Sequence, residues 1–441
     1  MNPLARTTLA IAAALAADSA SAVIKLQPNG MGDAVYIPYY TVENSQDSLL
    51  TITNSGDLPS AIHLLFAEAL NGQNVMSFNV YLPARSTWTA TVTSNGEAAK
   101  VVSQSNVCTL PQMPAQGIQF LPYDYANNYP DGGPTGQSRV RTGAVEIIEL
   151  GTLTGALAEA TTGLDCSRIN SFYIHQPNQP PPTRAPYLQN PSSRISASVH
   201  VVNVAQGVIF PVAGHAIAGH NTRPYDVPTE DILARIANPR LAAGESSFET
   251  ETAAGRLVFD ANRGADAISS LFMQSELSGE FYTEQALASS TRWVLSFPTK
   301  HAYVSSRPGS LAQGSGAVAP FSDRFDAEGS CDFLTTASNK FDGGVLSESE
   351  TPVDAASLGV CSQVNVIPFA GGLNGSLRFD LSDNAVRVIT ARRPDGGGVR
   401  LRGLPAVGVQ LSNFVNGQAQ PGVLANYSIA QPLRGLPSEA D

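Results

Sequence analysis

The chain has 441 residues, only 14% of them charged, and a formal net charge of −11; an average soluble domain carries about 25% charged residues. That length accommodates two domains of ordinary size with a sizeable core. The acidic balance argues against binding to nucleic-acid backbones or to a membrane through a polybasic patch. Lysine occurs only at Lys25, Lys100, Lys300 and Lys340, and none has apolar flanks on both sides of the kind that depress an amine pKa for Schiff-base chemistry.

In chain order, residues 1–22 read as a secretory signal. Arg6 and the free amine precede an apolar run from Leu9 to Ala17, and Ala20-Ser21-Ala22 supplies small side chains before Val23, the expected mature start. The reading places the mature protein in the periplasm, on the outer surface or outside the cell. No later segment reaches the roughly 18 uninterrupted apolar residues of a transmembrane helix.

Period-2 patterning dominates residues 32–92. Ala34–Ile37 leads into Tyr39 and Tyr40, Leu50 and Ile52 share a face, and Ile62, Leu64 and Phe66 share another. Met76, Phe78, Val80 and Leu82 alternate with polar residues, and Trp88, Ala90 and Val92 alternate with Thr87, Thr89 and Thr91. Such runs predict antiparallel strands with one buried face. The stretch from Asn106 to Arg141 reads as loop, Ala144–Leu150 and Ser196–Val204 as strands, and the proline-rich Gln176–Pro191 as irregular. Helices are expected at Thr229–Ala237, behind a Pro-Thr-Glu-Asp start, and at Asp266–Ser275, where Ile268, Leu271 and Phe272 recur at helical spacing. Strand character returns at Arg292–Phe297, in a hairpin around Pro394-Asp395-Gly396-Gly397-Gly398, and at Leu404–Phe414 and Leu424–Ile429.

The expected fold is therefore mainly β, with Ig-like antiparallel β-sandwich domains and one or two short helices. The expected division is 1–22 signal peptide, 23–250 N-terminal β-sandwich domain with long loops, and 251–441 C-terminal β-rich domain, with the boundary inside the polar region 240–262.

The blocks GDAVYIPYYTV (32–42), SLLTITNS (48–55), FNVYLPARSTWTA (78–90), GAVEIIELG (143–151), WVLSFPTKHAYV (293–304) and LANYS (424–428) together resemble a group of uncharacterised exported proteobacterial proteins. The resemblance spans most of the mature chain. It implies export, but no activity and no residue roles.

The residues themselves offer a few chemistries. Cys108, Cys166, Cys331 and Cys361 are an even set without CxxC spacing, as expected of disulfides in an exported protein. Cys108–Cys166 and Cys331–Cys361 are the favoured pairs, because each stays within one half of the chain. His200, His215 and His220 are the candidate metal ligands, although a five-residue offset puts the last two on one face of neither a helix nor a strand. Glu146 and Glu149 fall on opposite faces of one strand and do not form a facing acid pair, and one of them is expected beside apolar neighbours that raise its pKa. Tyr123, Asp124, Tyr125, Tyr129 and Asp131 mark a loop suited to stacking on and hydrogen-bonding a ligand. The aromatic strand residues Phe78, Trp88, Trp293 and Phe297 are assigned to the core. There is no Gly-x-Ser-x-Gly elbow and no P-loop, and Ser315 sits in a Gly-Ser-Gly linker. No cofactor is expected.

The leading expectation is an exported, non-enzymatic binding or structural protein whose partner is carbohydrate or protein at the cell surface. The competing expectations are a secreted hydrolase of glycans or esters, and a filament or surface-layer subunit assembling through strand edges.

Overall fold

The computed structural model describes residues 23–173, 185–225, 239–252, 255–305, 310–312, 316–325, 331–341, 344–345, 358–369, 372 and 374–437. The signal segment, the helix expected at Thr229–Ala237 and Ser315 lie outside the described residues. The protein is mainly β, with 50% strand and 13% helix.

Among the described residues the largest sheet has twelve strands. Its centre is formed by Ala34–Thr41, Thr142–Leu153, Ser60–Glu68 and Asn74–Leu82, paired antiparallel in that order. On the far side of Ala34–Thr41 the sheet continues through His215–Ala218, Ile24–Leu26, Ser247–Thr252 and Gly255–Ala261 to the hairpin Val388–Arg392/Gly398–Arg402. Ile24–Leu26 runs parallel to Ser247–Thr252. Strands from both sides of residue 250 thus share one sheet.

A six-stranded antiparallel sheet lies over one face. It is ordered Val208–Ala213, Ile195–Asn203, Asp47–Asn54, Ser86–Asn95, Ala98–Val102, Ile118–Gln119. Here the alternation read from the sequence is visible directly. Leu50, Ile52, Trp88 and Val92 point into a core shared with Val35, Ile37, Leu64, Phe66, Phe78 and Ile147, while Thr87 and Thr89 face water. The edge strand Val208–Ala213 is capped by a side chain: Ser428 Oγ accepts from Ile209 N at 3.1 Å and donates to Ile209 O at 2.7 Å. This blunts an edge that would otherwise recruit another strand.

A four-stranded sheet, Val364–Pro368, Ser289–Ser296, Val407–Gln420 and Val423–Pro432, forms a wall between two cores. Val294, Val409 and Leu411 join the first core. Trp293 and Leu295 join a second core with Leu277, Phe281, Leu377 and Phe379 of a further antiparallel sheet that pairs Asp332–Phe341, Asn374–Asp380 and Glu276–Tyr282 in that order. Trp88, Phe78, Trp293 and Phe297 are all fully buried.

Two helices escape a pattern search. Gly155–Thr162 and Cys166–Ser171 bury Leu157, Ala160 and Ile169 in a small third core. The signal for the second is Asp165, whose carboxylate accepts from Arg168 N at its N-cap. The helix expected at 266–275 spans Gly264–Leu271 instead. It stops because the Phe272 carbonyl accepts from Ala406 N and Met273–Gln274 pairs as a strand with Leu404–Pro405. Two disulfides, Cys108–Cys166 and Cys331–Cys361, join the cysteines in the pairing favoured above. No helix among the described residues is long and apolar enough to cross a membrane.

Candidate functional site

The aromatic and acidic loop is largely turned inward. Tyr123 is exposed and Tyr129 half-buried, but Asp124, Tyr125 and Asp131 are buried. Asp131 belongs to an internal ion-pair network. Arg139 donates Nε and Nη2 to the two Glu68 oxygens at 2.8 and 3.0 Å, and Nη1 and Nη2 to the two Asp131 oxygens at 2.9 and 2.5 Å. The remaining lone pairs are also used. Glu68 accepts from the backbone N–H of Leu70, Asn71 and Gln73, and Asp131 from Asn71 Nδ2 and Gly133 N. The guanidinium lies 4.2 Å over the Tyr125 ring, and the Tyr125 hydroxyl donates to Gly136 O. Burial alone raises the Asp131 pKa, but the hydrogen bonds and charge of Arg139 outweigh it and hold the carboxyl below its ordinary value. The network clamps residues 124–139 to the turn after Ser60–Glu68.

The three histidines do not converge. His220 is buried, with Nε2 against Leu241 O at 2.8 Å and its backbone N–H on Asp33. His200 and His215 line one cleft of about 360 Å³, together with Pro38, Pro211, Pro432 and Gln431. His215 stands edge-on to Phe272, and burial lowers its pKa to about 4. Among the described residues no three His, Cys, Asp or Glu side chains gather in a metal-binding group.

The two glutamates of Thr142–Leu153 separate as their parity requires. Glu149 accepts from Ser60 Oγ, Ser192 Oγ and N, and Ser193 N, and burial raises its pKa against those bonds. Glu146 points to the other face, where Arg240 Nη2 donates at 2.7 Å and Leu241 N at 2.8 Å, with His301 Nδ1 at 4.0 Å. Burial opposes ionisation there. The charges of Arg240 and His301, the Arg240 hydrogen bond and the Leu241 N–H win, and the pKa falls to about 2. Beside it, Tyr36 Oη meets Ser296 Oγ at 2.5 Å. This second face of the central strands is a buried polar layer. Sequence reading missed it, although a His and a Glu inside the apolar runs AIHLLFAE and AVEIIE were the available signal.

Lys300 corrects an expectation. Its local flanks do not foretell it, yet it is fully buried, with Nζ 3.3 Å from Asp332 Oδ2 and 3.2 Å from Cys361 O, near the Phe297 and Phe321 rings. Burial lowers its pKa against the pull of Asp332. The cause is tertiary packing by residues distant in the chain.

His63 carries a pH prediction. It is fully buried, its Nδ1 lies 2.8 Å from Asn79 Oδ1, and burial lowers its pKa to about 4 despite that bond. The unfolded chain takes up this proton first, near pH 6.5. The stabilisation is therefore complete above about pH 6.5 and is lost as pH falls toward 4, by about 3 kcal/mol for this one group. Glu146, with its lowered pKa, adds acid sensitivity between about 4.5 and 2. Urea midpoints measured from pH 7 to pH 4 should fall steeply in the wild type and less steeply in His63→Gln. Identical slopes would show that His63 titrates normally in the folded state.

No protein-family model, curated protein or solved structure matches the chain.

Proposed function

We propose that the chain is an exported, non-enzymatic binding protein of the cell envelope or its surroundings, working through its surface. One observation carries this reading: four buried charged groups with shifted pKa values are closed onto partners inside the protein, while the shifted imidazole of His215 lines a cleft that, among the described residues, holds no carboxylate. Glu146 is spent on Arg240, Asp131 on Arg139, Glu149 on three serines and Lys300 on Asp332. Catalytic sites instead turn their shifted groups toward a cleft that admits substrate. Export is supported by the two bridges and by the character of residues 1–22. The Ig-like sandwich reading is supported by the packing of the six-stranded sheet on the twelve-stranded one through alternate side chains. A filament subunit needs a bare apolar edge. Two of the described edges are blunted, Val208–Ala213 by its Ser428 cap and Gly398–Arg402 by Arg400.

The test uses the purified mature chain, residues 23–441, with its bridges intact. It is passed over envelope fractions and a glycan array, and in parallel is incubated with chromogenic esters and glycosides. Saturable retention without turnover is expected. Steady turnover abolished by one carboxylate-to-amide substitution would overturn the reading.

A further inference from the structure

The hairpin Val388–Arg392/Gly398–Arg402 concentrates positive charge in an acidic protein. Arg387, Arg392, Arg393, Arg400 and Arg402 fall within sixteen positions whose only carboxylate is Asp395. Strand alternation sorts them. Ile389, Ala391, Val399 and Leu401 enter the core, while Thr390, Arg392, Gly398 and Arg400 face water. The register sets Thr390 opposite Arg400 and Arg392 opposite Gly398. Arg392 and Arg400 are therefore diagonal neighbours, roughly 7–8 Å apart at their origins.

Two adjoining clefts, about 390 and 370 Å³, share Asn262, Thr390 and Arg400 as lining, and Arg392 and Gly398 close the first. Among the described residues neither the Arg392 nor the Arg400 side chain has a hydrogen bond or ion pair, their backbones pairing only within the sheet. The nearby carboxylates are engaged elsewhere. Asp266 accepts from Arg263 at 2.8 Å and from the Tyr303 hydroxyl at 2.8 Å, Asp260 from Ser247 Oγ at 2.5 Å, and Asp395 from Gly397 N at 2.8 Å. A side chain at Gly398 would meet nothing within 4 Å, so the space beside Arg392 is open. Charge on an edge strand often serves only to prevent strand pairing. That accounts for Arg400 but not for Arg392, which stands on the inner strand of the hairpin, between Gly398–Arg402 and Gly255–Ala261. The register sets Asp260 opposite Arg392, but among the described residues no ion pair joins them and Ser247 holds the Asp260 carboxylate.

We propose that Arg392 and Arg400, with Thr390 and Asn262, form an oxyanion clamp for the phosphoryl group of a phosphomonoester. Two planar guanidinium forks can each present paired N–H donors to a tetrahedral anion. The Thr390 hydroxyl and the Asn262 amide add neutral donors at the same cleft. The net charge of −11 does not forbid this, because the field that captures a small anion is set by the charges lining its groove. The inference rests on the reading of the chain as a binding protein and names a ligand class for it.

Titration calorimetry of the mature chain tests the clamp, with inorganic phosphate and glucose 6-phosphate as soluble probes. Flotation with phosphatidylcholine vesicles containing phosphatidic acid, against pure phosphatidylcholine, tests a lipid source. Binding of at least one phosphate-bearing probe is expected. It should weaken at least tenfold in Arg392→Gln/Arg400→Gln, and with added salt. Glucose 6-phosphate alone would assign a soluble sugar phosphate, and the doped vesicles alone a lipid headgroup. No binding of any probe, or equal binding by the double variant, would overturn the clamp. Both arginines are exposed, so the double variant should keep the wild-type urea midpoint. If the double variant keeps its phosphate binding and still adheres to envelope fractions, this inference fails while the general binding reading stands. Turnover by the wild type would instead fail the binding reading itself.

Discussion

Arg139→Met is expected to cost about 3–5 kcal/mol of stability, among the largest effects of any single substitution in the protein. The arginine side chain is 2% exposed, and those of Glu68 and Asp131 are 0% and 5% exposed. Removing the cation leaves two carboxylates a few ångströms apart without water to solvate them. One must take up a proton or the loop must open. The urea midpoint at pH 7 reports the loss, and the variant should recover part of it near pH 5, where protonation becomes easier. Glu68→Gln/Asp131→Asn/Arg139→Met removes all three charges together and should be markedly more stable than the single variant, because an ion network is costly to break but cheap to replace whole. A single variant within 1 kcal/mol of wild type would mean that the network contributes nothing to the fold.

Cys108→Ser/Cys166→Ser is expected to lose about 4 kcal/mol on the chain-entropy account of a bridge closing 58 residues. The bridge joins the short strand Cys108–Leu110 to the helix Cys166–Ser171. That helix has little else to hold it. Its core is the small cluster of Leu110, Leu153, Leu157, Ile169 and Tyr173 around Tyr81. Amide exchange should therefore accelerate first in residues 155–173 and least in the centre of the twelve-stranded sheet. An unchanged urea midpoint together with unchanged exchange in the two helices would refute the assignment of a stabilising role to this bridge.

Strand content was legible in the sequence because side-chain parity is local information. Trp88, Ala90 and Val92 against Thr87, Thr89 and Thr91 announce which face is buried without reference to any partner, and the structure places them so. The same rule correctly sent Glu146 and Glu149 to opposite faces. It failed where a strand is covered on both sides. Ser60–Glu68 is buried along its whole length, and periodicity offers no reason for His63 to be inside. The candidate loop was misleading for a related reason. Tyr125 and Asp131 have the composition of a ligand site, and nothing local reveals that Arg139 will turn them inward. Lys300 is the same lesson in the other direction, a buried amine with unremarkable neighbours in the chain.

The amino-acid order alone determined that this protein is built of antiparallel strands, where its aromatic core lies, and that its four cysteines suit two bridges. Those features depend on spacing at two residues, on turn chemistry and on an even cysteine count. Only the tertiary structure decided which charges meet. Glu68 finds Arg139 at a separation of 71 residues, and Glu146 finds Arg240 at 94. Such pairs follow from the order of strands in a sheet that gathers residues 24 to 402. Strand order is a long-range choice made by the burial of whole faces, and the local pattern of any one strand is compatible with many neighbours.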